Sequence, residues 1–316
     1  MRVFLWHVHG SWATAMVQGA HEYLVPVLPD RGPDGRGRAR TWDWPSSVVE
    51  VTPAQARQAD VDVVILQRPQ ELSHLTEEWL GRRPGRDLPA VYLEHDPPST
   101  GIAEGPHPAA DRLDLTVVHV THFNRLMWDT GFTPTRVIEH GVVDPGLLYR
   151  GDLPRAVAVI NEPVRRGRVT GTDLVERWRA DIPIDLFGIS SEGLGGQDVV
   201  QAQLHQEMAR RRLYLHPFRW TSLGLSLVEA MHLGMPVVAL STTEAPEAVP
   251  PGTGIVSNRP EVVLDAIHQL LADPDQARAM GKAARQAALV RYGLGRFLDD
   301  WDDLLEEATA MRVALA

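Results

Sequence analysis

Cysteine is absent from this 316-residue sequence, and lysine occurs once, at Lys282. The first absence excludes a disulfide framework and any thiolate metal site, and it fits a cytoplasmic protein. The second means that all other basic side chains are arginine, so arginine content alone does not indicate phosphate binding. No segment reaches the ~20 apolar residues of a membrane span, and residues 1–8 are too short and too lightly charged for a signal peptide. We therefore expect a cytoplasmic protein without a transmembrane segment.

The chain also lacks an excess of positive charge: 41 acidic side chains outnumber 31 basic ones, so the formal net charge is −10 at pH 7. A chain of this charge lacks the basic footprint that binding to nucleic acid or to an anionic membrane requires. Its hydrophobic content of 44% is sufficient for sizeable cores. The length suits two α/β domains of ordinary size or one large one. These features favour a globular enzyme or binding protein that acts on small molecules.

The stretch Leu213–Leu240 has the clearest local pattern in the chain. Apolar runs at Leu213–Leu215 and Pro236–Leu240 predict two strands, and apolar residues between them recur at helical spacing. The predicted helix ends at Gly234, and Thr221 and Ser222 occupy the positions expected of an N-cap. The stretch therefore predicts a strand, a loop, a helix and a second strand.

The start of this helix is a candidate anion site. The turn Ser222-Leu223-Gly224 leaves backbone N–H groups unpaired, and it places the positive end of the helix dipole outward. Such a turn is well suited to a diphosphate. Glu229 lies further along the helix beside residues that should be buried, and a buried carboxylate needs a partner.

The run SLGLSLVEAMHLGMPVVAL resembles the donor-binding signature of retaining GT-B glycosyltransferases, especially glycosyltransferase family 4. By that resemblance Glu229 holds the ribose hydroxyls of a nucleotide sugar. The first acid of the family signature falls on Thr221, so this sequence departs from the family pattern there. In the family that acid contacts the sugar ring. Glu244 or Glu247 is a candidate to replace the missing acid. The resemblance implies that the donor is bound by Thr221, Ser222, Leu223, Gly224, Leu225 and Glu229. The alternative is an ordinary βαβ unit with a partly exposed helix glutamate.

A basic segment, NEPVRRGRVTGTDLVERW, lies between a predicted strand at Ala156–Ile160 and a helix that begins at Thr172. The family has an arginine here and, after four residues, a Lys-Gly pair, and both basic groups contact the diphosphate. Arg165 matches the arginine, whereas Thr170 replaces the lysine. Arg168, with its neighbour Arg166, is then the candidate for the missing charge, because a guanidinium group suits phosphate oxygens. The alternative is an exposed loop whose arginines only meet solvent.

The first half of the chain alternates predicted strands with short helices, which indicates a doubly wound parallel sheet. The predicted strands are Arg2–Val8, Tyr23–Leu28, Val48–Val51, Val61–Gln67, Ala90–His95 and Leu115–Thr121. Ligands bind beyond the carboxyl ends of such strands. The turn at His9 and Gly10 is therefore a candidate pocket wall, where the resembled enzymes carry a glycine-rich loop. His95 also follows a strand, and the resemblance places it near the donor sugar as the best catalytic candidate, together with Arg165; a structural role for His95 is the alternative.

The resemblance implies an α/β GT-B fold, with two Rossmann-like domains whose parallel sheets face a cleft. We expect an N-terminal acceptor domain at 1–150 and a C-terminal nucleotide-sugar domain at 151–316, with a boundary in the Pro145–Pro154 stretch. The last helix carries Phe297 and Trp301 on an apolar stripe, and in this fold it crosses back to the first domain.

The expected activity is transfer of a sugar from a nucleoside-diphosphate sugar to a hydroxyl of a small-molecule or glycan acceptor. The resemblance implies retention of configuration, with no cofactor and no metal ion. Two alternatives stay open: a catalytically idle GT-B scaffold that binds a nucleotide sugar or a protein partner, and a GT-B epimerase. A GT-B phosphorylase is disfavoured, because Lys282 is far from any cofactor position.

Overall fold

The predicted strands form two separate parallel sheets in a computed structural model that describes the backbone of residues 1–315 and the side chains of residues 1–310. The chain divides into two compact units. Unit 1 comprises Met1–Val143 and Leu294–Ala316, and unit 2 comprises Asp144–Gly293. The division lies directly before the Pro145–Pro154 stretch, where no regular periodicity was present.

The sheet of unit 1 has seven strands, which lie in the order β3-β2-β1-β4-β5-β6-β7. Their bounds are Arg2–Leu5 (β1), Glu22–Pro26 (β2), Val48–Val51 (β3), Val63–Leu66 (β4), Ala90–Glu94 (β5), Thr116–His119 (β6) and Thr135–Val137 (β7). The order reverses direction between β1 and β4, which is the point at which open parallel sheets bind ligands. The loops that follow β1 and β4 therefore lie side by side at this edge.

Four short helices of unit 1 connect these strands. Their bounds are Gly10–Met16 (α1), Pro53–Gln58 (α2), Thr76–Leu80 (α3) and His122–Met127 (α4). A π-helical turn at Glu71–Leu75 leads into α3. The start of α2 shows how the sequence sets a boundary: Thr52 and Gln55 form a reciprocal capping box, and Pro53 occupies the first turn.

The sheet of unit 2 has five parallel strands in the order β12-β11-β10-β8-β9. Their bounds are Leu153–Val159 (β8), Ile184–Phe187 (β9), Arg211–His216 (β10), Val237–Ala239 (β11) and Gly254–Val256 (β12). The chain goes from β8 outward to β9 and then returns to place β10 on the other side of β8. The reversal therefore lies between β8 and β10, and the loops after these two strands share one edge.

Seven helices belong to unit 2. They are Pro163–Arg166 (α5), Thr172–Trp178 (α6), Gln201–Arg210 (α7), Leu225–Leu233 (α8), Ala245–Ala248 (α9), Pro260–Ala272 (α10) and Pro274–Arg291 (α11). A buried apolar cluster lines the sheet, with Ile160, Leu213, Leu215, Val238 and Ile267 among its members. The predicted helix at Pro274–Arg291 has the observed bounds, because Asp273 caps its first N–H groups and Pro274 starts its first turn.

The last helix, Leu294–Leu315 (α12), is part of unit 1, as the resemblance implied. Its stripe is buried against α1: the ring of Trp12 lies 6.4 Å from that of Phe297 and 5.5 Å from that of Trp301. Gly141 allows this fit, since a Cβ there would lie 2.3 Å from the Cβ of Phe297. The predicted second domain of 151–316 is therefore too long at its end, because these aromatic contacts assign α12 to unit 1.

Candidate functional site

Two loops that are far apart in the sequence of unit 2 meet at the edge between β8 and β10. The segment after β8 contains the arginines, and the segment after β10 leads to α8. The backbone N–H of Arg219 donates to the carbonyl of Val169 at 2.9 Å. The guanidinium of Arg219 binds Asp173 at 2.6 Å and the carbonyl of Arg168 at 2.7 Å. The arginine segment is thereby fixed against the loop before α8.

Gly171 allows this close approach. Its φ is +73°, and a Cβ at this position would lie 1.9 Å from the carbonyl oxygen of Pro217. Only glycine combines a left-handed backbone with the absence of that atom. Thr170, which replaces the expected lysine, is fully buried, and its hydroxyl lies 3.2 Å from that of Thr172. The position therefore supplies packing in place of a positive charge.

Arg165 and Arg168, the two predicted diphosphate ligands, are exposed at this edge, with 69% and 76% of each side chain accessible. Each is already paired with an acid. Arg165 donates two hydrogen bonds to Glu162, at 2.9 and 2.5 Å, and Arg168 lies 3.0 Å from Asp173. An incoming diphosphate must therefore compete with these carboxylates. The separations are those of exposed ion pairs, which are weak and readily exchanged.

The start of α8 differs from the prediction. The helix begins at Leu225 and its N-cap is Gly224, which has extended backbone angles and makes no side-chain capping bond. Thr221 and Ser222 are therefore not N-caps; they lie upstream, in the loop, and Ser222 and Leu223 are buried. The first turn of α8 thus has no side-chain acceptor of its own. This arrangement strengthens the argument for an anion site, because the orphan N–H groups of a helix start need acceptors.

His216, which the sequence interpretation passed over, lies directly against this turn. A Cβ on Gly224 would be 2.7 Å from its Cε1, 3.5 Å from Nδ1 and 3.6 Å from Nε2. The ring stacks on Phe218 with centroids 4.4 Å apart, and burial lowers the pKa of His216 to about 3. The imidazole at the helix start is therefore neutral. Its position at the end of β10, next to Pro217, was the signal that could have identified it.

Glu229 is buried, as predicted, and has partners on α7. Its Oε2 accepts a hydrogen bond from Nε2 of Gln201 at 3.1 Å and lies 3.4 Å from Nε2 of His205. The structure thus gives the carboxylate polar neighbours inside unit 2, close to the start of α8. Glu244, one candidate replacement for the acid missing at Thr221, is also buried and lies 3.2 Å from Nη2 of Arg291.

The remaining predicted residues lie in unit 1. Gly10 begins α1, and a Cβ there would lie 3.4 Å from Nε1 of Trp42. His95 directly follows β5 and is buried. Its ring contacts that of His9, with centroids 3.9 Å apart, and its Nε2 lies 3.0 Å from Oε1 of Gln67. Burial, with the neighbouring His9 and His140, lowers the pKa of His95 well below its ordinary value, so the ring is neutral.

Part of unit 2 matches a known protein family. Residues 194–287, which include α7, the loop before α8 and α8 itself, match the family model "Glycosyl transferases group 1". No curated protein is significantly similar to the chain. The family match therefore covers the segment that contains the helix start and Glu229, and it does not extend to unit 1.

Several solved structures match nearly the whole chain. Sucrose-phosphate synthase from Thermosynechococcus elongatus has a TM-score of 0.72 at 16% identity, with 98% of this chain and 100% of that one covered. HepE of Anabaena in complex with UDP has a TM-score of 0.68 at 17% identity, with 97% and 99% covered. A glycosyltransferase from Rickettsia africae has a TM-score of 0.65 at 13% identity, with 97% and 98% covered. The predicted GT-B fold, with two parallel-sheet α/β domains, is confirmed.

Within the part of the chain that the structure describes, no helix has the length and apolar character needed to cross a membrane.

Proposed function

We propose that this chain transfers a sugar from a nucleoside-diphosphate sugar to a hydroxyl of a small-molecule or glycan acceptor in the cytoplasm. The observation that carries the proposal is the buried carboxylate of Glu229 on α8, a helix that starts without a side-chain cap. A buried acid is a suitable acceptor for ribose hydroxyls, and an uncapped helix start is suited to phosphate. Both lie in the segment that matches the glycosyltransferase family model.

The residues of unit 2 have separate roles in this proposal. Backbone groups of Thr221–Leu225 cradle the diphosphate, and Glu229 holds the ribose. Arg165 and Arg168 exchange their acidic partners for phosphate oxygens, since a guanidinium group binds both anions by the same paired geometry. Because charged side chains and helix-end amides neutralise the departing diphosphate, the reaction needs no divalent cation.

In unit 1, the turn at Gly10 and the side chain of His95 bind the ligand beyond the strand ends. His95 contacts the sugar as a neutral hydrogen-bonding group, which agrees with its lowered pKa. We propose retention of the anomeric configuration, on the resemblance of the α8 segment to retaining enzymes. Because Thr221 offers no carboxylate nucleophile, the transfer would proceed without a covalent bond between sugar and enzyme. The leaving phosphate would then take the proton of the acceptor hydroxyl on the same face of the sugar.

The binding experiment uses Glu229→Gln, which keeps the shape of the side chain and removes its charge. We expect nucleoside diphosphate affinity to fall by about 1.5–3 kcal/mol in calorimetry, the range for hydrogen bonds to charged groups. Glu176→Gln, a change of an exposed acid on α6 in the same unit, is the matched control and should have no effect. Equal affinities for the two variants, both folded, would contradict the role of Glu229.

The transfer experiment follows product formation by proton NMR, with UDP-glucose tested first because HepE has been solved with UDP-glucose. An α-linked product, formed equally with and without chelator, is the expected result. A β-linked product, or activity that chelator abolishes and magnesium restores, would refute the proposed mechanism. Tight binding of nucleotide sugar without transfer to any acceptor would favour the scaffold alternative.

A further inference from the structure

Three residues that follow neighbouring strands of unit 1 form a chain of hydrogen bonds at the reversal point of the sheet. Trp6 follows β1, Gln67 follows β4 and His95 follows β5. Nε2 of Gln67 donates to the backbone carbonyl of Trp6 at 2.7 Å, and Oε1 of Gln67 lies 3.0 Å from Nε2 of His95. The established strand order therefore brings these groups together at the edge where open sheets bind ligands.

The carbonyl of Trp6 fixes which way the Gln67 amide faces. A carbonyl oxygen only accepts hydrogen bonds, so the amide nitrogen must face Trp6 and the amide oxygen must face His95. The reverse orientation would place two acceptor oxygens 2.7 Å apart. The backbone of Gln67 is held as well, because its N–H donates to Oε2 of the buried Glu71 at 2.6 Å. The orientation of Oε1 toward His95 is thus determined by groups that cannot rotate away.

This orientation determines the tautomer of His95. The ring is neutral, so one of its nitrogens carries a proton and the other is an acceptor. Since Oε1 of Gln67 is an acceptor, the proton lies on Nε2 and the lone pair lies on Nδ1. Nδ1 makes no hydrogen bond to the residues that the structure describes.

We propose that Gln67 is a positioning residue that keeps the proton of His95 on Nε2 and leaves Nδ1 to accept a hydrogen bond from a hydroxyl of the bound ligand. The inference rests on the proposed function for the identity of that ligand, which is either the sugar of the donor or the acceptor. His95 is then a hydrogen-bond acceptor toward its ligand, and it does not donate a proton to an oxyanion.

The test reads the tautomer directly in the ligand-free protein. Long-range proton–nitrogen NMR spectra of the ¹⁵N-histidine-labelled protein at pH 7.5 separate the two tautomers, and His95→Asn identifies the signals by their loss. We expect the wild type to carry the proton on Nε2. Gln67→Leu removes the acceptor and should move His95 toward the Nδ1–H form or a mixture.

Gln18→Leu is the matched control, because Gln18 is a glutamine of unit 1 that, like Gln67, donates to a backbone carbonyl, here that of Thr14, at 3.1 Å. It should leave the His95 signals unchanged. A proton on Nδ1 in the wild type would overturn the inference. Identical His95 spectra for the wild type and Gln67→Leu, with both proteins folded, would overturn it equally.

Kinetics with UDP-glucose test the ligand contact. We expect Gln67→Leu to lower kcat/KM about tenfold relative to Gln18→Leu, the loss that follows when one hydrogen bond to a ligand is weakened. A rise in KM for UDP-glucose assigns the hydroxyl to the donor sugar, and a rise in KM for the acceptor assigns it to the acceptor. Equal kcat/KM values overturn the inference. If the wild type transfers no sugar, the proposed function fails, whereas the tautomer spectra still decide the role of Gln67.

Discussion

His119, the last residue of β6, gives the sharpest prediction on stability. Its side chain is fully buried, and neither ring nitrogen has a hydrogen-bond partner among the described residues. Burial, followed by the nearby charges of His107 and Arg125, lowers the pKa of His119 to about 3. A leucine fills a similar space without orphaned nitrogens. We therefore expect His119→Leu to stabilise unit 1 at neutral pH and to weaken its sensitivity to acid.

The magnitude follows from two separate costs. An unsatisfied buried polar group costs about 1–3 kcal/mol, so the gain at pH 7.5 should be about 1 kcal/mol once imperfect packing of leucine is included. The pH effect comes from the unfolded state, where the pKa of histidine is about 6.5. As pH falls below this value, the unfolded chain binds a proton that the native ring excludes, so the free energy of unfolding decreases. The loss is about 1.4 kcal/mol per pH unit until the folded pKa is reached.

Urea denaturation of the wild type and His119→Leu at pH 7.5 and pH 5.5 measures both effects. From pH 7.5 to 5.5 the wild type should lose about 1.4 kcal/mol more than the variant, because only the last unit of that interval lies below the unfolded pKa. His122→Leu, at an exposed position on α4, is the control and should leave the pH dependence unchanged. A destabilised His119→Leu protein at pH 7.5, or a pH dependence equal to that of the wild type, would refute this account of His119.

Two further predictions concern unit 2. Gly171→Ala should destabilise unit 2 more than Gly252→Ala. Both glycines have a positive φ, which costs a residue with a side chain about 1–2 kcal/mol, but only at Gly171 would the new Cβ lie 1.9 Å from the carbonyl oxygen of Pro217. Equal losses of stability in thermal unfolding would contradict this close approach. Arg165→Ala should weaken binding of a nucleoside diphosphate more than of the monophosphate, and Glu162→Gln should strengthen diphosphate binding because it frees Arg165 from its ion pair. Equal loss for both nucleotides in calorimetry would show that Arg165 does not bind the second phosphate.

The sequence by itself determined the elements whose signals are local. Alternating apolar strands and short helices predicted the parallel α/β architecture, and Val48–Val51 and Pro274–Arg291 have the predicted bounds. Burial of Glu229 was predictable for the same reason, since its neighbours on α8 are apolar. Resemblance in a single contiguous run was enough to indicate the GT-B fold, because strand, turn and helix there are adjacent in the chain.

Only the tertiary structure decided which distant residues meet. The spacing of apolar residues predicts which face of a helix or strand is buried, but it does not predict which strand lies beside it. The contacts of Gln67 with His95 and of Arg219 with Asp173 could therefore not be predicted from the sequence. The start of α8 was misplaced because Thr221 and Ser222 have high N-cap propensity, whereas tertiary packing buries Ser222 and leaves Gly224 as the cap. Such choices depend on contacts between separate segments, and these form only when the sheets assemble.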